Sequence, residues 1–325
     1  MRVGIVGVGS MGQNHARILS DVAELVGVVD AEREVGEATA RQFGTSFFST
    51  PDDLYREDIE AVSIATPTRL HYDVAHEAVA NGVHVLLEKP FTGDPGQAEK
   101  LTQEAEDRGV VLAAGLIERH NPCVEFAHDA LREGAYGKLI AISTRRVSSF
   151  PTRVRDVGVM MDLGIHDVDV LRYLVGTEVE RVYSVAGRER HDDFEDHATA
   201  LLTFRGGVAG TVEVNWLTPM KVRRLALTCL NNFVEVDYID QTVDISSSSL
   251  PKYDPSNLYQ APFEYETRQV ALKKEEPLRR ELEDFLGAIE GDRKPLVDGR
   301  EAVQTLKVVA AISEAQRRGA PVEVA

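Results

Sequence analysis

The stretch Val3-Gly4-Ile5-Val6-Gly7-Val8-Gly9-Ser10-Met11-Gly12 decides the fold. Its first residues form a short apolar run that ends at glycine, which reads as a buried strand. From Gly7 the pattern is G-x-G-x-x-G, and it leads into a helical pattern over Met11–Leu19. Strand, glycine pattern and helix in this order are the context in which the motif binds a dinucleotide. Gly7 permits the tight turn. Gly9 lets a pyrophosphate approach the backbone, and Gly12 lets helix and strand pack closely. The helix start at Ser10 and Met11 offers N–H groups and a positive dipole end to phosphates. Asp30 ends the second apolar run, 18 residues after Gly12. A carboxylate there accepts from both ribose hydroxyls of NAD and repels a 2′-phosphate. Arg33 lies nearby, so NAD is favoured and NADP stays open.

Working outward, short apolar runs recur at Leu25–Val29, Ala61–Ala65, Val83–Leu87 and Val110–Ala114. Helical patterns lie between them at Ala31–Phe43, His71–Ala80 and Pro95–Arg108. This alternation predicts a parallel sheet wound on both faces. After Asn121-Pro122 the texture changes. A helix over Pro122–Glu133, a strand over Leu139–Arg146 and a helix from near Met161 to Gly176 come first. Strands without intervening helices follow, at Val179–Gly187, Ala198–Phe204, Gly207–Trp216, Arg224–Cys229, Phe233–Tyr238 and Thr242–Ile245. Gly206-Gly207 and Asn231-Asn232 read as hairpin turns. Successive strands of this kind imply an antiparallel sheet. Ser246–Arg268 shows little periodicity and reads as a surface excursion. Helices over Pro277–Ile289 and Arg300–Arg318 close the chain. The expected domains are residues 1–121 for the dinucleotide and 122–325 for substrate and oligomerisation, with the closing helices free to pack back on the first.

The 325 residues suit two domains. Asp and Glu number 53 against 36 Lys and Arg, a net charge of −17. Nucleic-acid binding needs a basic face, so a polyanion partner is excluded as a first reading. Of the basic residues 27 are Arg and 9 are Lys, which suits either a salt-adapted cytoplasm or an ordinary acidic enzyme. Two cysteines form neither a disulfide framework nor a four-thiolate zinc site. No run approaches the ~18–20 apolar residues of a membrane span, and a signal peptide is not apparent. A soluble cytoplasmic protein without membrane contact is expected.

Three further segments carry chemistry. Ala65-Thr66-Pro67 and His71 follow the third apolar run, and loops after strand C-termini line the ligand crevice of a doubly wound sheet. His71 reads either as a cofactor contact or as a polar residue at a helix start. Glu88-Lys89-Pro90 follows the next strand. A lysine facing the crevice beside a cationic nicotinamide loses basicity and becomes useful in proton transfer. Asp162, His166 and Asp169 are spaced i, i+4 and i+7, one face of a helix. Further ligands with metal spacing do not accompany them, so a metal is not expected.

Taken in order, G-x-G-x-x-G, then Glu88-Lys89-Pro90, then Asp162-x-Gly164-x-His166, the pattern resembles the glucose–fructose oxidoreductase / inositol dehydrogenase (Gfo/Idh/MocA) family over nearly the whole chain. The resemblance implies an α/β fold: an N-terminal Rossmann domain plus a C-terminal α/β domain. The second domain has an open, mainly antiparallel sheet that often makes subunit contacts, hence a homo-dimer or homo-tetramer. It also implies oxidation of a sugar or cyclitol hydroxyl by NAD(P). Lys89, Asp162 and His166 match the catalytic positions, with the base left open between Lys89 and His166. Ala65, Thr66, Pro67, His71, Glu88 and Lys89 fall at cofactor positions.

On the substrate side, Arg145, Arg146, Arg153 and Arg155 fall within eleven residues, with Arg119 before them and Lys221 and Arg223 after. Arginine forks suit bidentate phosphate binding. The cluster reads as a clamp for a nucleotide diphosphate sugar or as a solvated strand edge. Residues 145–176, the stretch through Trp216 to Thr228, and 234–241 are similar to the subgroup acting at C3 of UDP-N-acetylglucosamine. The expected substrate residues are Arg119, Arg145, Arg153, Arg155, Trp216, Lys221 and Arg223, with a diphosphate meeting some of Arg145, Arg153, Arg155, Lys221 and Arg223. Asp156-Val157-Gly158-Val159 replaces the three glycines many members carry. The alternatives are an inositol or free-sugar dehydrogenase, and a non-catalytic NAD-sensing regulator on the same fold.

Overall fold

Strands whose residues are buried on both faces read as continuous apolar runs, and a parallel sheet covered by helices is the arrangement that buries both. Such a sheet is formed by β1 (Arg2–Val6), β2 (Glu24–Val29), β3 (Ser46–Phe48), β4 (Ala61–Ile64), β5 (His84–Glu88) and β6 (Leu112–Gly115). Their spatial order is β3-β2-β1-β4-β5-β6, and every pairing is parallel. The helices between them are α1 (Ser10–Val22), α2 (Arg33–Phe43), α3 (Pro51–Tyr55), α4 (His71–Ala80) and α5 (Pro95–Arg108). The structure, a computed structural model, describes residues 1–151, 157–190, 192–248 and 265–324.

The chain divides into two units, Met1–His120 with Glu276–Ala310, and Asn121–Glu275 with Ala311–Ala325. In the first, a late helix, Pro277–Glu290, places Leu278, Leu282, Phe285 and Leu286 in one core with Val3, Ile5, Ala16 and Leu19. The i, i+4, i+7, i+8 spacing of those residues is one face of a helix. Strand order reverses between β1 and β4, so the crevice outside their C-terminal ends is the ligand position of this fold. The short strand β3 and helix α3 were not anticipated. Thr50 caps α3, its hydroxyl accepting from the Asp53 amide at 3.2 Å, with Pro51 in the first turn.

The second unit carries α6 (Pro122–Arg132), β7 (Leu139–Val147), a π turn at Met160–Gly164 and α7 (Ile165–Val175). Then come β8 (Val179–Gly187), β9 (His197–Phe204), β10 (Ala209–Asn215), β11 (Val222–Cys229), β12 (Asn232–Asp237), β13 (Thr242–Ser248), β14 (Tyr265–Ala271) and β15 (Val322–Glu323). They form one sheet in the order β14-β13-β12-β11-β7-β10-β9-β8-β15. The β7–β10 pair is parallel and the other pairs are antiparallel. Gly206 and Gly207 turn the β9–β10 hairpin at φ of 93° and 88°, a backbone region open mainly to glycine. Part of the expected excursion at 246–268 is strand: β13 runs on to Ser248, and Tyr265 opens β14. The helices α6 and α7 cover one face, α7 against β7 and β10, α6 against β12 and β13. Among the described residues, no helix is long and apolar enough to cross a membrane.

Candidate active site

The β1–α1 turn is fixed by its own packing. Gly7 has φ of 89°, and a Cβ there would lie 2.7 Å from the Ala65 carbonyl oxygen. A Cβ on Gly12 would lie 1.9 Å from the Gly7 oxygen. Both glycines are therefore required by the fold itself. Gly9 is different: a Cβ there would meet nothing within 4 Å. The space above Gly9, at an α1 N-terminus without a side-chain cap, fits the pyrophosphate of a dinucleotide. Ser10 is exposed there, while Met11 packs on the core and offers its amide. Asp30, at the end of β2, accepts from the Val8 amide at 2.7 Å and the Glu32 amide at 2.9 Å. Each carboxylate oxygen keeps a second lone pair for a ribose hydroxyl. Arg33 is ion-paired on the surface with Glu37 at 2.7 Å.

The ends of β4 and β5 bring Ala65, Thr66, Pro67, Glu88 and Lys89 to the same edge of the sheet. The Thr66 hydroxyl is buried without a hydrogen-bond partner among the described residues. A buried orphan hydroxyl at a crevice fits a polar ligand atom. Glu88 is buried and accepts from the Lys89 amide at 3.0 Å and from His15 Nε2 at 3.0 Å. Burial pushes the Glu88 carboxyl up. The hydrogen bond and charge of His15, with the charge and amide of Lys89, outweigh it and hold the carboxyl below its usual value. The Lys89–Pro90 bond is cis. His71 is buried, its Nδ1 2.7 Å from the Pro90 oxygen and its Nε2 2.8 Å from the Thr66 oxygen. Both ring nitrogens lie against carbonyls of the chain itself, a contact between the loops that follow β4 and β5.

In the second unit Asp162 lies in the π turn and His166 in the first turn of α7, both buried. A π turn closes i→i+5, so the α-helical i, i+4 alignment expected of Asp162 and His166 is replaced by a locally wider turn. Such bulges often mark functional sites. Asp169 is fully buried further along the helix. The neighbouring Asp167 is paired with Arg146 of β7, Nε and Nη2 lying 3.0–3.1 Å from the carboxylate, both side chains nearly inaccessible. Arg146 also stacks over the Tyr238 ring at 5.2 Å. This pair ties the His166 helix to the sheet. Sequence reasoning missed Glu195, whose carboxylate accepts from the Met160 amide at 3.2 Å. A Cβ on Gly158 would lie 2.1 Å from that carboxylate, so a side chain there would have to displace Glu195.

Among the described residues of the second unit, the consecutive Arg145 and Arg146 do not share one face. Along β7 successive side chains point to opposite faces. Arg146 points to α7, and Arg145 points the other way, 3.3 Å from Glu213. Arg145 is thus removed from the face bearing His166. Arg119 belongs to the first unit, is buried, and pairs with Glu301 at 2.7 Å. Trp216 is 1% exposed and packs edge-on to Phe150, a core role. Arg223 stands opposite Arg146 in the β11–β7 register, on the face that α7 covers, and Lys221 is exposed just before β11. Arg153 and Arg155 lie outside the described residues. Cys123 and Cys229 are buried, and burial pushes the Cys229 thiol up to about 11, so it offers no thiolate near neutral pH. Among the described residues no three His, Cys, Asp or Glu side chains are grouped to hold a metal ion.

The first unit has the glycine turn and strand-end crevice of a Rossmann domain, and the second carries Asp162 and His166, both buried, at the start of a helix over a mixed sheet. The chain belongs to the Gfo/Idh/MocA family. The model for the oxidoreductase family, NAD-binding Rossmann fold, matches residues 1–116, and that for the GFO/IDH/MocA C-terminal domain matches residues 124–232. A UDP-N-acetylglucosamine 3-dehydrogenase from Acidithiobacillus ferrooxidans is 34% identical over 302 residues, 92% of each chain. A solved structure of that enzyme superposes with a TM-score of 0.87 at 32% identity, covering 97% of both chains. A scyllo-inositol 2-dehydrogenase (NAD(+)) from Bacillus subtilis is 28% identical over 100% of this chain and 96% of its own length. The chain is an NAD-dependent oxidoreductase of the kind that acts on sugar CH–OH groups.

Proposed function

We propose that this chain oxidises the C3 hydroxyl of UDP-N-acetylglucosamine or a closely related UDP-sugar. The observation that carries this reading is the 34% identity to an enzyme of that name across 92% of both chains, the second unit included. The inner-face Arg223 and the exposed Lys221 support it, since a diphosphate favours guanidinium and ammonium partners. Bound NAD supplies the hydride acceptor. Asp30 and the open backbone at Gly9 hold its ribose and pyrophosphate. Lys89 or His166 takes the proton from the sugar hydroxyl as hydride leaves the same carbon, giving a ketone. Asp162 orients the base and stabilises its cation.

The full-length protein is tested with NAD and a panel of UDP-sugars, free sugars and inositols, following NADH absorbance. Turnover of UDP-N-acetylglucosamine, with free N-acetylglucosamine at least ~10-fold poorer in kcat/KM, is expected, because a lost charge-assisted contact is worth ~1.5–3 kcal/mol. Preferential turnover of inositols would favour a second reading, supported by the likeness to the inositol enzyme. NAD binding with silence across the panel would indicate a sensor. We also read the uncovered sheet face as the surface on which copies associate. Tyr183, Val185, Leu201 and Phe233 are 40–60% exposed on it. Sedimentation should give a dimer or tetramer, and Val185→Asp with Leu201→Asp should dissociate it.

A further inference from the structure

We propose that His15 and His71 are positioning residues that hold Lys89, acting from opposite sides of it in the chain. The proposal rests on the reading of Lys89 as a participant in proton transfer. Backbone pairing between β4 and β5 ends at Ile64 opposite Leu87. Lys89 lies two residues past that point. Beyond the last paired residues, two buried histidines bridge the two strand ends.

His15, on the third residue after Gly12, is fully buried. Its Nδ1 lies 2.7 Å from the Ser63 hydroxyl of β4, and its Nε2 lies 3.0 Å from Glu88 Oε1 at the end of β5. Glu88 Oε2 in turn accepts from the Lys89 amide at 3.0 Å. An ionised carboxylate only accepts, so His15 Nε2 and the Lys89 amide both donate to it. Gly115 on β6 leaves room for this carboxylate, since a Cβ there would lie 3.0 Å from Glu88 Cδ. On the other side of Lys89, the Pro90 carbonyl accepts from His71 Nδ1 at 2.7 Å. His71 Nε2 lies 2.8 Å from the Thr66 carbonyl, in the loop after β4, and a ring with one proton donates to one of the two carbonyls at a time. The residue before Lys89 and the residue after it are each anchored through a histidine to the β4 side. Neither histidine offers a ring nitrogen to a ligand. Their effect is to fix where the Lys89 backbone, and so its ammonium, begins.

Misplacing a reacting group by about 1 Å costs on the order of 10²-fold in rate. His15→Leu, which removes the link to Glu88, should therefore lower kcat by roughly 10–100-fold. NADH affinity, read separately by fluorescence titration, should change less than about threefold, because the β1–α1 turn is untouched (~0.6 kcal/mol). His15→Gln keeps a donor near the Nε2 position and should recover most of the rate. The deciding measurement is a double-mutant cycle. In the Lys89→Ala background, His15→Leu should change kcat by less than about twofold, because residues acting as a unit are not additive. A full, additive loss in that background would overturn the proposal. Should His15→Leu fail to fold, His71→Asn is compared with His71→Gln. Asn keeps the donor toward Pro90 and should retain more kcat than Gln, which keeps the donor toward Thr66. Equal losses would overturn it. Wild-type kcat in Lys89→Ala alone would instead refute the reading of Lys89 on which the proposal stands.

Discussion

The β1–α1 turn and the strands β7 and β11 both carry sequence clusters, but the first stays together in space and the second is divided between the two faces of a sheet. Gly7, Gly9 and Gly12 lie in one turn, and the turn lies at the C-terminal edge of a parallel sheet. Adjacent residues there stay adjacent. In β7, Arg145 and Arg146 are consecutive yet point to opposite faces. One meets a glutamate on the uncovered face, the other an aspartate under α7. A run of like residues is a local site in a loop and a divided one in a strand.

The largest expected effect tests whether chemistry follows this division. Lys89→Ala and His166→Ala should each lower kcat with the true substrate by ~10²–10⁴-fold, the usual cost of losing a general acid or base. If the two share one proton relay, the double variant should fall little below the worse single variant. Near wild-type turnover in both would remove the reaction from these residues altogether.

The next effect sharpens the contrast between the two arginines. Arg146→Ala removes the guanidinium from the buried Asp167 carboxylate. Breaking a buried pair of this kind costs about 3–5 kcal/mol. Arg145→Ala removes an ion pair whose arginine side chain is 58% exposed, and such pairs contribute about 0–1 kcal/mol. Urea unfolding of the two variants should differ by several kcal/mol. Equal midpoints would mean that the face a side chain points to does not govern its role here.

The same physics explains what was legible in the sequence. The first unit's core strands were visible because they are buried on both faces and written as apolar runs. The strand Tyr265–Ala271 was not, because five of its seven residues in succession are exposed, and an edge strand open on both faces has no alternation to read. The short helix at Pro51–Tyr55 carried a readable signal, Thr50-Pro51 with Asp53, that its length concealed. Gly7, Gly12 and Asp30 could be placed because their partners are local or set by the fold. The roles of His15, Glu195 and Arg119 could not. Their partners lie 73, 35 and 182 residues away, and only the folded chain brings them together.

The smallest effect separates what the fold needs from what a ligand needs within a single turn. Gly12→Ala improves helix propensity by up to about 1 kcal/mol. It also sets a methyl 1.9 Å from the Gly7 carbonyl oxygen, and backbone cannot yield as a side-chain tip can. Overpacking of this kind costs about 1–3 kcal/mol, so a lower melting temperature is expected even without cofactor. Gly9→Ala meets no protein atom within 4 Å. Its φ of −66° suits alanine, and the change at a helix N-cap costs about 0.5–1 kcal/mol. Its melting temperature without cofactor should stay close to wild type, while NAD affinity falls on the order of tenfold (about 1.4 kcal/mol) as the methyl occupies the pyrophosphate's place. Differential scanning fluorimetry with and without NAD reads both variants. A Gly9→Ala protein that bound NAD normally would show that the open space above Gly9 is not where the phosphates sit.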